Sequence, residues 1–400
     1  MVDAASDPGS DVARSWSAFC ARLGEIGGRL SEPPFPASET DRALSARHLS
    51  RQVVMALQSE VEFGDASNPS FHRYEEPWVQ WGGPNPDNVY TRAPIDAAAT
   101  YRVSGNVAGV RSALFSLVDG DMHLGEYGVF SECTLADLEV GSDGSLELWI
   151  SPDRPAGNWH VGNWIESHAG ARLFLVRQYL CDWERDRAAT LTVERVDTSG
   201  LPPVPMSGSD FAVALDRAAT WVERSVEYWC TYVERARETL PRNAVAPPST
   251  PRGGAPTIAY GAGWWQLEPD EALVITTDVP DADYWGWTVH HRYRLDSGDF
   301  ANRQTSLNMA QTFVDDDGRI RLVVAGSDPG APNWIDTERQ PEGMLVYRSI
   351  DTRSRPVPEA QVVAVSSLRD LLPGTHPVVE ASERRIRLAT RRAGVLARYV

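Results

Sequence analysis

Four stretches of the chain gather arginine, asparagine, aspartate and tryptophan in runs that neither alternate as strands do nor read as solvated loops. They are Gly82 to Asp96, Val176-Arg177-Gln178-Tyr179 followed by Asp182-Trp183, Asn302-Arg303-Gln304-Thr305-Ser306-Leu307-Asn308 with Gln311, and Asp328-Pro329-Gly330-Ala331-Pro332-Asn333-Trp334-Ile335-Asp336-Thr337. A guanidinium grips a carboxylate or phosphate through paired N–H groups, so Arg92, Arg177 and Arg303 are candidate anion holders. Tyr90 and His290 are candidate proton carriers and Asp336 a candidate orienting carboxylate. Asn88, Asn308, Asn333 and Trp334 complete the candidate substrate-binding set. The chemistry expected is acid–base work on a small organic, anionic molecule by a hydrolase or lyase that needs no metal, nucleotide or other cofactor. The alternative is a non-catalytic ligand-binding or assembly module, with Trp81, Trp159, Trp164, Trp285, Trp287 and Trp334 walling a cleft for a sugar or polyprenoid. Each segment taken singly also reads as turn chemistry, because Asn and Asp beside Pro or Gly favour turns.

Many mechanisms are excluded by what is missing. All 38 basic residues are arginine. Without lysine there can be no Schiff base, no Ser-Lys dyad and no P-loop lysine on a phosphate. Neither HExxH, CxxC, GxSxG nor GxGxxG occurs. His290 and His291 are adjacent and would point to opposite faces of a strand, so they cannot chelate one ion. His123-Leu124-Gly125-Glu126 hints at a jelly-roll metal site, but no HxH accompanies it. Asp315-Asp316-Asp317-Gly318 lacks the glutamate of a calcium loop and reads as a hairpin turn, and Gly261-Ala262-Gly263-Trp264 reads as a turn also. A net charge of −17 makes nucleic acid and anionic membrane surfaces poor partners. The four cysteines are scattered and are expected to be reduced thiols. The longest apolar runs fall far short of the roughly 20 residues that span a bilayer. Residues 1–10 show no secretory pattern. A cytoplasmic protein with a small-molecule ligand is expected, and a homo-oligomer is compatible with this composition.

The positioning elements follow from periodicity. Val12, Trp16, Phe19, Leu23 and Ile26 recur at helical spacing, and after the Pro-rich joint at 33–36 Ser38 or Thr40 can cap a second helix through Val61. Beyond Pro77 short β-rich runs alternate with turn residues. The Ser142-Asp143-Gly144 turn suggests that 134–140 pairs with 145–150. Phe211, Leu215, Ala219, Val222, Val226, Trp229 and Val233 trace one face of a long helix that Pro241 stops. Residues 244–255 look like an exposed linker, and strands resume from 272. The arginine-rich 380–400 reads as a surface helix. The chain is therefore expected to be mainly β, with β-sandwich or jelly-roll-like units, N-terminal helices and one long helix between the β units. Its expected divisions are an N-terminal helical segment 1–76, a first β unit 77–205, a connecting helix 206–243, a second β unit 244–355 and a tail 356–400.

The motifs NPDNVYTRAPID (85–96), LVRQYLCDW (175–183), RQTSLNMAQ (303–311) and DPGAPNWIDT (328–337), the last followed by Glu342-Gly343, resemble a bacterial family known as domain of unknown function twelve-fourteen. The resemblance runs from about Trp78 to Arg348, with 244–355 as a family-like domain. It implies a β-sandwich or jelly-roll fold and assigns no activity.

Overall fold

The computed structural model describes residues 8–35, 38–155, 162–250 and 258–399. Trp159, His160 and the second half of the expected linker fall outside them. The chain divides into two compact units: Met1–Gln80, Val89–Tyr179 and Arg187–Tyr228 form the first, and Trp81–Asn88, Leu180–Asp186 and Trp229–Val400 the second. Each unit thus draws on separated pieces of chain, whereas contiguous β units were expected.

In the first unit, α1 (Pro8–Arg29) and α2 (Glu39–Leu57) precede the strands, and Ser38 caps α2 by accepting from the Asp41 amide. The strands are β1 (His72–Glu75), β2 (Asn88–Pro94), β3 (Tyr101–Asn106), β4 (Ser112–Val118), β5 (Val129–Thr134), β6 (Ser145–Ser151), β7 (Asn163–Glu166), β8 (Leu173–Tyr179) and β9 (Thr190–Arg195). They form a five-stranded sheet in the order β1-β2-β8-β4-β5 and a four-stranded sheet in the order β7-β6-β3-β9. Alternate residues of both, including Phe115, Phe174, Val176, Tyr101, Val103, Leu148 and Ile150, share one core, which makes a β-sandwich. The turn before β6 forms as expected, with Gly144 at φ +83. Its strand partner is β3, however, because a Thr134–Asp137 capping box starts a helical turn that ends β5. The long helix α3 (Gly208–Thr239) buries Leu215, Ala218, Trp221, Val222 and Ser225 within this unit's share of it.

The second unit is another sandwich. Its strands are β10 (Ile258–Gln266), β11 (Glu271–Asp278), β12 (Tyr284–His291), β13 (Ser306–Asn308), β14 (Arg319–Ala325), β15 (Trp334–Asp336), β16 (Glu342–Ile350) and β17 (Glu359–Ala364), ordered β10-β16-β12-β13 and β15-β14-β11-β17. Trp265, Trp285, Trp287, Leu273, Leu322, Ile335 and Tyr347 fill the space between the sheets. Two expectations are corrected here. Gly261 and Gly263 lie inside β10 rather than in a turn: Ala246 and Ala244 carbonyls come so close that a Cβ on Gly263 would sit 1.9 Å from the Ala244 oxygen. The same approach, with Asn243 and Ser249 bonded to β10 and Val245 buried, makes 243–249 a packed segment rather than an exposed linker.

The short α4 (Leu368–Leu371) is followed by α5 (Ala381–Leu396), a surface helix as expected, most of whose residues are exposed but one face of which is buried. Arg384, Arg391 and Arg398 recur at seven-residue spacing, share one face, and are all buried. Arg384 lies over the Trp334 ring at 5.2 Å, and Arg391 and Arg398 over Trp183 at 4.4 Å each. Among the described residues no helix is long and apolar enough to cross a membrane.

Candidate functional site

In the second unit the short strand β15 delivers Asp336 to a polar cluster. Its backbone amide bonds the Gln304 carbonyl at 2.8 Å, and its carboxylate pairs with the Arg303 guanidinium at 2.8 Å. Asp336 Oδ1 also accepts the Glu338 amide, fixing a turn in which Glu338 and Arg339 both take positive φ, +55 and +61. That turn directs the Glu338 carboxylate onto the Asp299 amide at 2.8 Å, 3.2 Å from His291 Nε2 and 3.6 Å from Arg303 Nε. Gly298, at φ +68, leaves the space Glu338 occupies: a Cβ there would stand 3.0 Å from the carboxyl carbon. Asp336 is buried, whereas the Arg303 side chain is 42% exposed, so the cluster opens to solvent along its cation.

The two carboxyls are pushed apart in acidity. Burial raises the pKa of Asp336 above the ordinary aspartate value, against the opposing pull of Arg303. Burial would raise Glu338 as well, but its bond to His291, the Asp299 amide and the Arg303 charge hold it below the usual glutamate value. Two neighbouring carboxyls displaced in opposite directions beside a guanidinium are the kind of arrangement that proton transfer at a small substrate calls for.

The other candidate residues of this unit serve the fold. Asn333 accepts from the Phe313 amide and donates to the Phe313 and Arg321 carbonyls, which uses its whole amide. Trp334 is buried and donates to the Ala325 carbonyl at 3.0 Å. His290 is sealed; its Nδ1 lies 3.0 Å from Ser297 Oγ, which itself donates to the Pro84 carbonyl, so Nδ1 is the donor and the ring is neutral. Burial holds its pKa well below the ordinary value. Asn88 accepts from the Asn85 side chain, while Asn308 donates to Asp87 at 2.6 Å and to the Cys181 carbonyl at 2.9 Å. Asp87 also accepts from Trp183 Nε1 at 2.7 Å and the Tyr284 hydroxyl at 2.6 Å. Three of the four polar motifs therefore meet at one fully buried carboxylate, which joins segments far apart in sequence. Burial raises its pKa, opposed by Tyr284, Asn308, Arg398 and Trp183.

Tyr90, Arg92 and Arg177 stand on the first unit's five-stranded sheet. Arg92 is fully engaged: it grips both Asp121 oxygens at 2.8 and 3.1 Å, reaches Ser59, and donates to His72 Nε2 at 3.3 Å. Trp221 Nε1 bonds the same aspartate at 2.8 Å. Burial in this cluster lowers His72 to about 3 and His123 to about 4. Glu338 was not singled out by sequence reasoning, His291 was weighed there only as a metal ligand beside His290, and neither carries a motif signal. Asp87 lay within a quoted motif, but nothing in its turn-like neighbourhood marked the carboxylate as the point of convergence. Among the described residues no group of three or more His, Cys, Asp and Glu is arranged to hold a metal.

Two sandwiches carrying helices at their peripheries, each with a charged cluster off its core, define a mainly β protein. Residues 116–181, which run from the end of β4 through β5, β6, β7 and β8 of the first unit, match the family described as "Protein of unknown function (DUF1214)", the family its motifs resemble. Of the four motifs only LVRQYLCDW overlaps that match, as far as Cys181; NPDNVYTRAPID, RQTSLNMAQ, DPGAPNWIDT and the 244–355 portion lie outside it. An uncharacterised protein from Burkholderia cenocepacia is similar in structure at a TM-score of 0.80 with 29% identity, covering 90% of this chain and 100% of the other. The VPA0106 protein from Vibrio parahaemolyticus gives a TM-score of 0.47 with 12% identity, covering 79% and 97%. No curated protein matches the chain.

Proposed function

We propose that the protein is an enzyme that performs acid–base chemistry on a small organic molecule, as a hydrolase or lyase, at the Asp336–Arg303–Glu338–His291 cluster. The observation that carries this reading is the opposite displacement of two neighbouring carboxyls beside a half-exposed arginine. Asp336 is the proton donor in this scheme, Glu338 the ionised partner, and Arg303 the holder of negative charge on substrate or transition state. The alternative of a Trp-lined binding cleft draws less support, since Trp265, Trp285, Trp287 and Trp334 are core residues. Four free cysteines suit a reducing, cytoplasmic setting. The test is turnover of p-nitrophenyl acetate and a panel of related esters by the wild type and by Asp336→Asn. Acceleration over buffer that falls at least tenfold in a folded variant supports the assignment. An equally active variant removes Asp336 from the chemistry.

A further inference from the structure

We propose that the outer face of the first unit's five-stranded sheet, centred on Arg177, is a binding site for a small organic monocarboxylate, independent of the Asp336 cluster. On β8, Phe174 and Val176 point into the sandwich core, so Leu175, Arg177 and Tyr179 point to the opposite face. Leu114 of β4 stands directly across from Arg177, and Ser116 across from Leu175. On β2 the core residue Ala93 fixes Tyr90 and Arg92 to the same outer face. Tyr74 of β1 joins them, its ring 5.5 Å from that of Tyr90 and under the Arg92 guanidinium at 4.9 Å.

Arg177 differs from its neighbour in one decisive way. Arg92 is consumed by Asp121, whereas among the described residues Arg177 makes neither a hydrogen bond nor an ion pair. It is only partly buried, and none of its nitrogens is among the sealed polar atoms of the described residues. Burial acts to lower its pKa, but Tyr74, Tyr179, Tyr90 and Glu132 more than offset this, so the guanidinium stays charged. A cation with unspent, partly desolvated donors costs free energy that an anion would recover.

The surroundings select the anion. A planar guanidinium fork matches the two oxygens of a carboxylate. The partly exposed Tyr90 ring, on the same face, offers an apolar surface for an organic body. Glu132, held at 3.0 Å by the Ser116 hydroxyl, already places one negative charge near Arg177, and the chain as a whole carries −17. A dianion such as phosphate is therefore disfavoured relative to a monoanion.

Calorimetric titration of the full chain with benzoate, and separately with inorganic phosphate, tests the assignment. The expected result is saturable 1:1 benzoate binding that weakens at least tenfold in Arg177→Gln, with phosphate weaker than benzoate, and with Asp336→Asn binding benzoate as the wild type does. If Arg177→Gln does not fold, Arg177→Lys takes its place; it keeps the charge and loses the paired fork, and a several-fold loss is expected. Absence of saturable benzoate binding, tighter phosphate binding, loss in Asp336→Asn, or unchanged affinity in a folded Arg177 variant would each overturn the site.

Discussion

At the scale of single residues, the two ion pairs Arg303–Asp336 and Arg92–Asp121 look alike on paper and differ in solvent. Arg92 is buried and Asp121 is mostly so, so removing the carboxylate's charge leaves a buried, uncompensated guanidinium at a cost of roughly 3–5 kcal/mol. Arg303 is half-exposed and keeps Glu338 as a second, weaker partner. Asp336→Asn should accordingly shift the thermal midpoint by only a few degrees, about 1 kcal/mol or less, while Asp121→Asn should shift it several times further. Equal destabilisation of both variants in thermal melts would make Asp336 a structural ion-pair member. The histidines beside Arg92 add a pH dependence. Their folded pKa values, about 3 and about 4, lie below the unfolded value of 6.5, so the unfolded chain binds protons first as pH falls. Stability should therefore decline from about pH 6.5 downward, and a His72→Gln/His123→Gln variant should show a shallower decline in denaturant melts across pH 6.5 to 4. An unchanged slope would show that these rings are not the proton-binding groups.

At the scale of elements, the backbone and arginine stacking carry more information than the turn-rich motifs suggest. The Ala244 carbonyl fills the space a side chain at 263 would need, so Gly263→Ala should cost on the order of 1–3 kcal/mol despite adding one methyl. A melt unchanged by that substitution would mean the flanking segment can yield. In α5, Arg391 donates to the Phe300 carbonyl at 2.6 Å and to Ser306 through both its terminal nitrogens. Arg391→Ala should destabilise the second unit by on the order of 3 kcal/mol, read by chemical denaturation, because it strands buried acceptors. Most strands, α3 and the Ser38 cap were legible because each rests on a local signal: period-two alternation, a 3.6-residue stripe, or a capping side chain. The β3–β6 pairing, the role of the β10 glycines and the buried face of α5 were not, since each depends on what a distant segment brings alongside. Seven-residue arginine spacing was visible in the sequence, but charge on a helix face ordinarily means solvent, and only Trp183 and Trp334 make it a packing surface here.

At the scale of the whole molecule, each sandwich draws together separated stretches, and this decides how much of a site sequence can show. Arg303 and Asp336 were both picked as chemistry-bearing residues and do meet, yet Glu338 and His291 complete the cluster only because a left-handed turn and the end of β12 converge on it. Conversely, Asn333, Trp334, Asn308 and Asn88 drew notice for residue type and are spent on capping and packing. A lysine-free composition with net charge −17 and an isoelectric point near 4.9 places the solubility minimum close to pH 4.9, which turbidity against pH will check.

The proposed chemistry stands or falls on the split between two carboxyls. Carbon-13 NMR of the side-chain carboxyls, with Asp336→Asn and Glu338→Gln for assignment, follows both through a pH titration of the folded chain. Asp336 is expected to titrate above the ordinary aspartate value of 3.8 and Glu338 below the ordinary glutamate value of 4.5. Ordinary values at both positions, or the reverse order, would contradict the roles assigned to them.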